Sequence, residues 1–498
     1  MKRMHAGFTL SLLSMTMAAC TVGPDYRRPD VTTPASFKSS MPADVPVSTQ
    51  DWKPAQPADA MPRAPWWEVY GDSQLNALED RVAASNQTVA AAAARYRGAR
   101  AAVRQARSAF FPTITANASF NQSRVSSNVS YRSSAGVTVP DYLVEAQISW
   151  EPDLWGRISR AVEGGRAEAQ ASAADLQNAI LSMQAELATN YFDLRGTVED
   201  ERLLKETLQA YEKALALTRD RFAGGVAAES DVAQAEEQLR ATQAQSIELE
   251  TTHASLVNAI AILIGEPPST FALDVAPLDA DHVPHPSAAL AALPLSVPSA
   301  LLERRPDVAA AERRIAQANA RVGVATAAFF PNLLLAATGG LEATRFSSWL
   351  MAPSRFWSLG PQLAFTALDF GGRAAARDAA RAAYDESVAD YRQTVLTAFG
   401  QVEDNLNALD VLRREGEAQS QAVDAAKRAL DKIGNRYENG AITYLNVVVT
   451  QATVLSDQRA AVRIQQRRMA ASVALVRALG GGWSADSLPR ADEVSARE

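Results

Sequence analysis

Side chains able to do covalent or metal chemistry are few in these 498 residues, and the one that stands out is Cys20, the only cysteine. It follows Met17-Ala18-Ala19 at the end of an apolar stretch, Phe8 to Ala18, which Lys2 and Arg3 precede. A lone thiol cannot form an internal disulfide and is a poor metal site. Histidine offers little more. Of the four, His5 lies in the N-terminal stretch, and His282 and His285 sit in Asp281-His282-Val283-Pro284-His285. That pair lacks a nearby cysteine or a defined helix and reads as a solvated linker, not a metal site. Neither a glycine-rich phosphate loop nor a nucleophile elbow occurs. The sequence therefore predicts no catalytic residue, no metal and no cofactor beyond a covalent lipid. The net charge of −7 gives no reason to expect nucleic acid.

Residues 17 to 20 resemble the lipobox of bacterial lipoproteins, in which the cysteine becomes the acylated mature N-terminus. Met17 stands where leucine is usual, and Thr21, in place of Asp, favours export to the outer membrane. The apolar stretch of about eleven residues is too short to span a bilayer as a helix. Residues 1–19 are expected to be a signal peptide. Residues 20–65, rich in Pro, Ser, Thr and Asp, are expected to form an extended, lipid-anchored tether.

The rest of the chain is written twice. Ala109-Phe110-Phe111-Pro112 returns as Ala328-Phe329-Phe330-Pro331, and Asp153-Leu154-Trp155-Gly156-Arg157 as Asp369-Phe370-Gly371-Gly372-Arg373. Arg221-Phe222-Ala223-Gly224-Gly225 matches Arg436-Tyr437-Glu438-Asn439-Gly440, and Leu263-Ile264-Gly265 matches Ala478-Leu479-Gly480. The first repeat is assigned to 66–285, the second to 286–483, and 484–498 to a flexible tail. Duplication along one chain is the habit of pore walls and scaffolds more than of catalytic centres.

Within each repeat the hydrophobic period changes. Leu75 to Ser108 has no proline and reads as one helix of roughly 50 Å, stopped at Phe111-Pro112. Ile114, Ala116, Ala118 and Phe120 then alternate with polar residues, as do Tyr142, Val144, Ala146, Ile148 and Trp150. Two such runs joined by a polar loop predict a transmembrane β-hairpin at 113–151. Tyr142, Val144, Ile148 and Trp150 should face lipid, and Glu145, Gln147 and Ser149 the bore. Leu333, Leu335 and Ala337, then Trp357, Leu359, Leu363 and Phe365, predict its twin at 332–369, weakened slightly by Pro361. No proline falls between Pro152 and Pro267 or between Pro361 and Pro489. Apolar residues stepping by three and four from Leu176 to Phe222, and from Tyr384 to Leu409, predict helical rods. The first is about 65 residues, close to 100 Å, with coiled-coil-like neighbours. Gly224-Gly225 and Asn439-Gly440 break the rods, and return helices follow (Ser230 to Ile264, Tyr444 to Leu479). The fold class is mixed. Long α-helices of a coiled-coil barrel are joined to four transmembrane strands per chain. Four strands are too few, since the smallest membrane barrels need about eight.

Four passages in register resemble the outer membrane factor family, the TolC-like channels of tripartite efflux pumps, in its lipoprotein branch. They are Val22-Gly23-Pro24-Asp25-Tyr26 with Arg28-Pro29; Asp153 to Arg157; Arg304-Arg305-Pro306-Asp307-Val308 with Ala311-Glu312; and Ala478-Leu479-Gly480-Gly481-Gly482-Trp483. Arg-Pro-Asp also has a plain reading, with Pro306 in a helix's first turn and Asp307 complementing its positive end. The resemblance implies a homotrimer with one shared β-barrel, set in outer-membrane lipid and extending into the periplasm. It implies a periplasmic adaptor and an inner-membrane transporter as partners, and passive conduction of drugs, metals or other small molecules. Protein export on the same fold is the alternative; a periplasmic coiled-coil scaffold would leave the alternating strands unexplained. The family's second-repeat tip commonly reads Tyr-Leu-Asp-Val-Leu-Asp, with two aspartates ringing a constriction. Here Tyr444-Leu445-Asn446-Val447-Val448-Val449 lacks both, and the first repeat keeps Asp231 at the equivalent of Asn446. The candidate gate is accordingly Asp231, Arg436, Tyr437, Asn446 and Val449.

Overall fold

The computed structural model describes residues 21–31, 33–34, 37–38, 65–128, 136–278 and 304–496. Cys20, His282 and His285 lie outside them. Trp66–Tyr70 forms a 3-10 turn that leads into α1 (Ser73–Ser85) and α2 (Gln87–Ser108). After the hairpin β1 (Thr113–Arg124) and β2 (Thr138–Trp150) come α3 (Arg157–Ala223) and α4 (Glu229–Leu263). The second half follows as α5 (Pro306–Ala327), β3 (Asn332–Ala343), β4 (Arg355–Ala364), α6 (Gly372–Glu438) and α7 (Tyr444–Ala478).

The duplication is kept to the residue. Helices α2 and α5 have 22 residues each, α3 and α6 have 67, and α4 and α7 have 35. At 1.5 Å per residue the two rods are roughly 100 Å long. No helix among the described residues is long and apolar enough to cross a membrane. Each rod begins after a left-handed glycine, Gly156 (φ 78°) or Gly371 (φ 93°), and each ends before another, Gly225 (φ 71°) or Gly440 (φ 70°).

Three expectations change. The single helix over Leu75–Ser108 is two, because Asn86 adopts extended angles and caps the second. Its Oδ1 accepts from the backbone N–H of Thr88 and Val89, and its buried Nδ2 donates to the carbonyl of Leu263. Capping an interior break satisfies donors that a continuous helix would satisfy itself, so periodicity alone could not reveal it. The tail is not loose. Val494 is fully buried against Val103 and Ala169, and Arg107 and Arg166 hold Ser495. The tether is a strap, at least over its described part. Arg160 bonds Asp25, the Tyr26 hydroxyl bonds Glu312, Asn319 donates to the carbonyl of Pro24, and Arg28 donates to the Tyr391 hydroxyl.

Packing is concentrated midway along the rods. Trp66, Trp67, Tyr70, Leu75 and Val82 fold onto Tyr191, Phe192 and Leu194 of α3, with Tyr70 edge-on to Phe192 at 5.0 Å. The Arg305 of the Arg-Pro-Asp motif pairs with Asp307 at 2.7 Å and also donates to the carbonyl of Ala478. It therefore ties the start of α5 to the end of α7, a long-range role added to the local capping read from the sequence.

Beside this core, Glu79 is fully buried, and neither of its carboxylate oxygens has a hydrogen-bond partner among the described residues. Burial, helped by the neighbouring Asp80, pushes its pKa up to about 9 from 4.5. The folded chain then holds a proton that the unfolded chain releases, so the contribution of this group to stability is greatest at acid pH. It falls as pH rises from 4.5 towards 9, by up to about 1.4 kcal/mol per unit. Glu79→Gln should raise the thermal unfolding temperature at pH 8 and flatten its decline between pH 5 and 8. An unchanged slope in calorimetry would show that Glu79 is not the group responsible.

Candidate channel wall and periplasmic tip

The four strands form one antiparallel sheet in the order β1-β2-β3-β4. Register decides which side chains share a face. Phe120 lies opposite Tyr142, Ile114 opposite Ile148, Ile148 opposite Ala337, and Ala337 opposite Leu359. One face therefore carries Ile114, Phe120, Tyr142, Val144, Ile148, Trp150, Leu333, Leu335, Trp357, Leu359 and Leu363. The other is mostly polar, with Thr115, Asn117, Glu145, Gln147, Ser149, Thr338, Glu342 and Gln362, and also holds Leu143, Leu334 and Phe356. The apolar face is open to the surroundings, with Trp357 80%, Leu359 74% and Ile114 68% exposed. So large an exposed apolar surface is unusual unless it contacts lipid or protein. Strands of 10–13 residues at about 3.3 Å per residue, tilted by about 45°, match the bilayer's hydrocarbon thickness of about 30 Å.

The outer edges of β1 and β4 have no strand beside them among the described residues. Unpaired backbone groups are costly in hydrocarbon, which forces closure by further strands. Pro361 of β4, which cannot donate to a ladder, lies opposite Leu335.

Where the sheet meets the helices, aromatic rings form a collar. The Trp155 ring stacks on Phe330 at 4.9 Å, and its Nε1 donates to the carbonyl of Pro331. Trp150 donates to the carbonyl of Phe110. The Arg373 guanidinium lies over Phe329 and Phe365, at 5.6 and 5.9 Å. Beside the collar the strap begins: Val22 N–H donates to the carbonyl of Trp155, and Thr21 packs so close to Gly156 that no side chain would fit there. Residue 21 is thus fixed just below the strands.

At the other end of the rods lie the two turns. Arg221 stacks on Tyr437 at 4.5 Å and donates to its carbonyl. Tyr437, Tyr444, Val447, Tyr211 and Leu239 form a separate apolar cluster, in which burial pushes the Tyr444 phenol up to about 12. The candidate gate residues divide. Tyr437 is buried within the chain, with its ring 5.4 Å from that of Tyr444. Arg436, Asn446 and Val449 are exposed, with Val449 58% accessible. Asn446 and Val449, three apart, share a face of α7. Asp231 is half-buried and accepts from the N–H of Ala228, capping its own helix. Among the described residues no group of acidic, histidine or cysteine side chains could hold a metal ion.

An apolar-faced, four-stranded sheet carried on roughly 100 Å helical rods defines an outer-membrane channel subunit with a periplasmic stalk. Residues 78–266 and 297–481 match the outer membrane efflux protein family, and the chain belongs to it. It is 32% identical to the pyoverdine export outer membrane protein OpmQ of Pseudomonas aeruginosa, over 91% of this chain and 94% of that one. It is 29% identical to the outer membrane protein OprJ of the same species, over 97% of each. The outer-membrane channel OprN superposes with a TM-score of 0.81 at 32% identity, covering 93% of this chain and 100% of that one. The open state of the Neisseria gonorrhoeae MtrE channel gives 0.77 at 25% identity, covering 94% and 99%. The chain is thus an outer-membrane efflux channel protein that extends into the periplasm.

The faces make a direct prediction. Ile148→Arg places a charge on the lipid side, at a cost of about 2–4 kcal/mol near the bilayer middle. It should deplete the protein from the outer-membrane fraction, whereas Ser149→Arg should insert normally and only alter conductance. Equal insertion and equal conductance of the two variants would refute the assignment of faces.

Proposed function

We propose that three copies of this chain close into a lipid-anchored exit duct of a tripartite efflux system. Small molecules enter it from an inner-membrane transporter and a periplasmic adaptor and leave without any catalytic step. The observation that carries this reading is the sheet with one apolar face and two open edges. Three copies supply about twelve strands, enough for a water-filled bore. Relatives named for pyoverdine and toluene export favour small organic cargo over protein export. Cys20 is read as the acylated residue. Fatty-acid labelling of the wild-type protein should vanish in Cys20→Ser. Persistent labelling would place the lipid elsewhere.

The exposed face bearing Asn446 and Val449 is read as the lining of the constriction. With no carboxylate there, the closed tip depends on apolar contact among Val449 side chains of the three copies, with Asn446 and Arg436 supplying polar contacts. A ring of carboxylates would attract cations and repel itself; a ring of valines does neither. Divalent and trivalent cations should therefore block the wild-type channel only weakly from the periplasmic side. In planar-bilayer recordings Val449→Asp should create strong cation block. Tight block of the wild type that survives Asp231→Asn would mean that other acids line the constriction.

A further inference from the structure

The charged side chains of the sheet are sorted by face. Among the described residues of β1 to β4 and the turn between β3 and β4, the charged ones are Arg124, Asp141, Glu145, Glu342, Arg345 and Arg355. The acids all stand on the mostly polar face. Asp141 lies opposite Asn121, Glu145 opposite Asn117, and Glu342 opposite Leu143, which belongs to the same face. Arg124 and Arg355 stand on the apolar face. Arg124 keeps the parity of Phe120, and Arg355 lies opposite Leu341, itself opposite Val144. Arg345 follows β3 at the start of a 3-10 turn. All three arginines are exposed, and no carboxylate among the described residues pairs with them.

Between these charges the rim is apolar. The turn after β3 folds back over the apolar face, where the Phe346 ring meets Tyr142 edge-on at 5.6 Å. The Trp349 ring lies 6.0 Å from that of Tyr142, and its Nε1 donates to the carbonyl of Leu341. Phe346, Leu350 and Met351 nevertheless remain 70%, 72% and 55% exposed. Aromatic girdles mark the level at which acyl chains give way to head groups. At about 3.3 Å per residue along the strand, Arg355 lies about 7 Å beyond Trp357 and Arg124 about 13 Å beyond Phe120. That is where head-group phosphates begin.

The opposite rim is built differently. Three arginines beside the aromatic collar have acids of their own. Arg157 pairs with Glu151 at 2.7 Å, Arg373 with Asp369 at 2.7 Å, and Arg377 with Asp378 at 3.2 Å. The helices leave the sheet from that rim into the periplasm, so the arginines without acids belong to the outward-facing leaflet.

We infer that this outer rim binds the phosphorylated glycolipid of the outward-facing leaflet. The guanidinium groups of Arg124, Arg345 and Arg355 take the sugar phosphates, which suit their planar forks. Phe346, Leu350 and Met351 take the acyl chains beside them. A lipid fits better than a dissolved anion, because the charges are interleaved with apolar side chains on the face that meets hydrocarbon. A phosphorylated glycolipid fits better than a zwitterionic phospholipid, whose own ammonium group offsets its phosphate. The inference needs the sheet to span the outer membrane and does not depend on how many copies close the barrel.

Full-length protein in detergent, titrated with bisphosphorylated, acylated diglucosamine and read by native mass spectrometry, tests it. Binding should saturate, and each of Arg124→Gln, Arg345→Gln and Arg355→Gln should weaken it about fivefold, the equivalent of about 1 kcal/mol per arginine at an anionic surface. Leu350→Ser/Met351→Ser should weaken it as well. Arg428→Gln, exposed towards the far end of α6, should bind as the wild type does. Dephosphorylated glycolipid and phosphatidylethanolamine should bind much more weakly, and inorganic pyrophosphate should not displace the bound lipid. Wild-type affinity in all three arginine variants, or equal binding of the dephosphorylated lipid, would overturn the proposal. Displacement by pyrophosphate would reveal a site for free phosphate and overturn the assignment to lipid.

Discussion

Hydrocarbon cannot hydrogen-bond a peptide group, and most of this structure follows from that. A sheet of four strands can stand in a membrane only if the outer edges of β1 and β4 find partners. The chain has no further strand among its described residues to supply them. Everything else serves that closure. The apolar face meets lipid, the polar face meets water, and rods of 67 residues carry the bore away from the membrane.

The termini show how the two halves were made equivalent. On the second repeat, the groove between α5 and α6 is covered by the N-terminal strap through Tyr26, Arg28 and Glu312. The corresponding groove on the first repeat, between α2 and α3, is covered by the C-terminal segment through Val494, Ser495, Arg107 and Arg166. Two unrelated stretches, one at each end, cover matching surfaces. The symmetry breaks where function differs. Trp155 is half-buried in its own chain while Phe370 stands free, and Tyr437 is buried while Phe222 is exposed.

Much of this was legible because long, regular elements write their period into the sequence. The rods, the return helices and the alternating strands come from spacing alone, and the AFFP and Asp-to-Arg passages align the repeats. What spacing could not reveal depends on contacts between distant residues. Asn86 breaks a helix whose composition is continuous, because its side chain caps one helix and reaches Leu263 in another. Residues 21–31 and 484–496 have the composition of loose chain, yet a few polar anchors and one buried valine dock them. Spacing alone does not show that α6 turns Tyr437 inward towards Tyr444. Glu79 carries no local signal, since its burial arises only when the chain is folded.

The central claim is that several copies jointly complete one barrel through lipid. Electron cryo-microscopy of the full-length protein in lipid nanodiscs tests it most directly. The account predicts a threefold particle in which twelve strands close a ring across the bilayer, with the helical stalk projecting from one side. A sheet lying on the bilayer surface, or a barrel completed by a single chain, would contradict it.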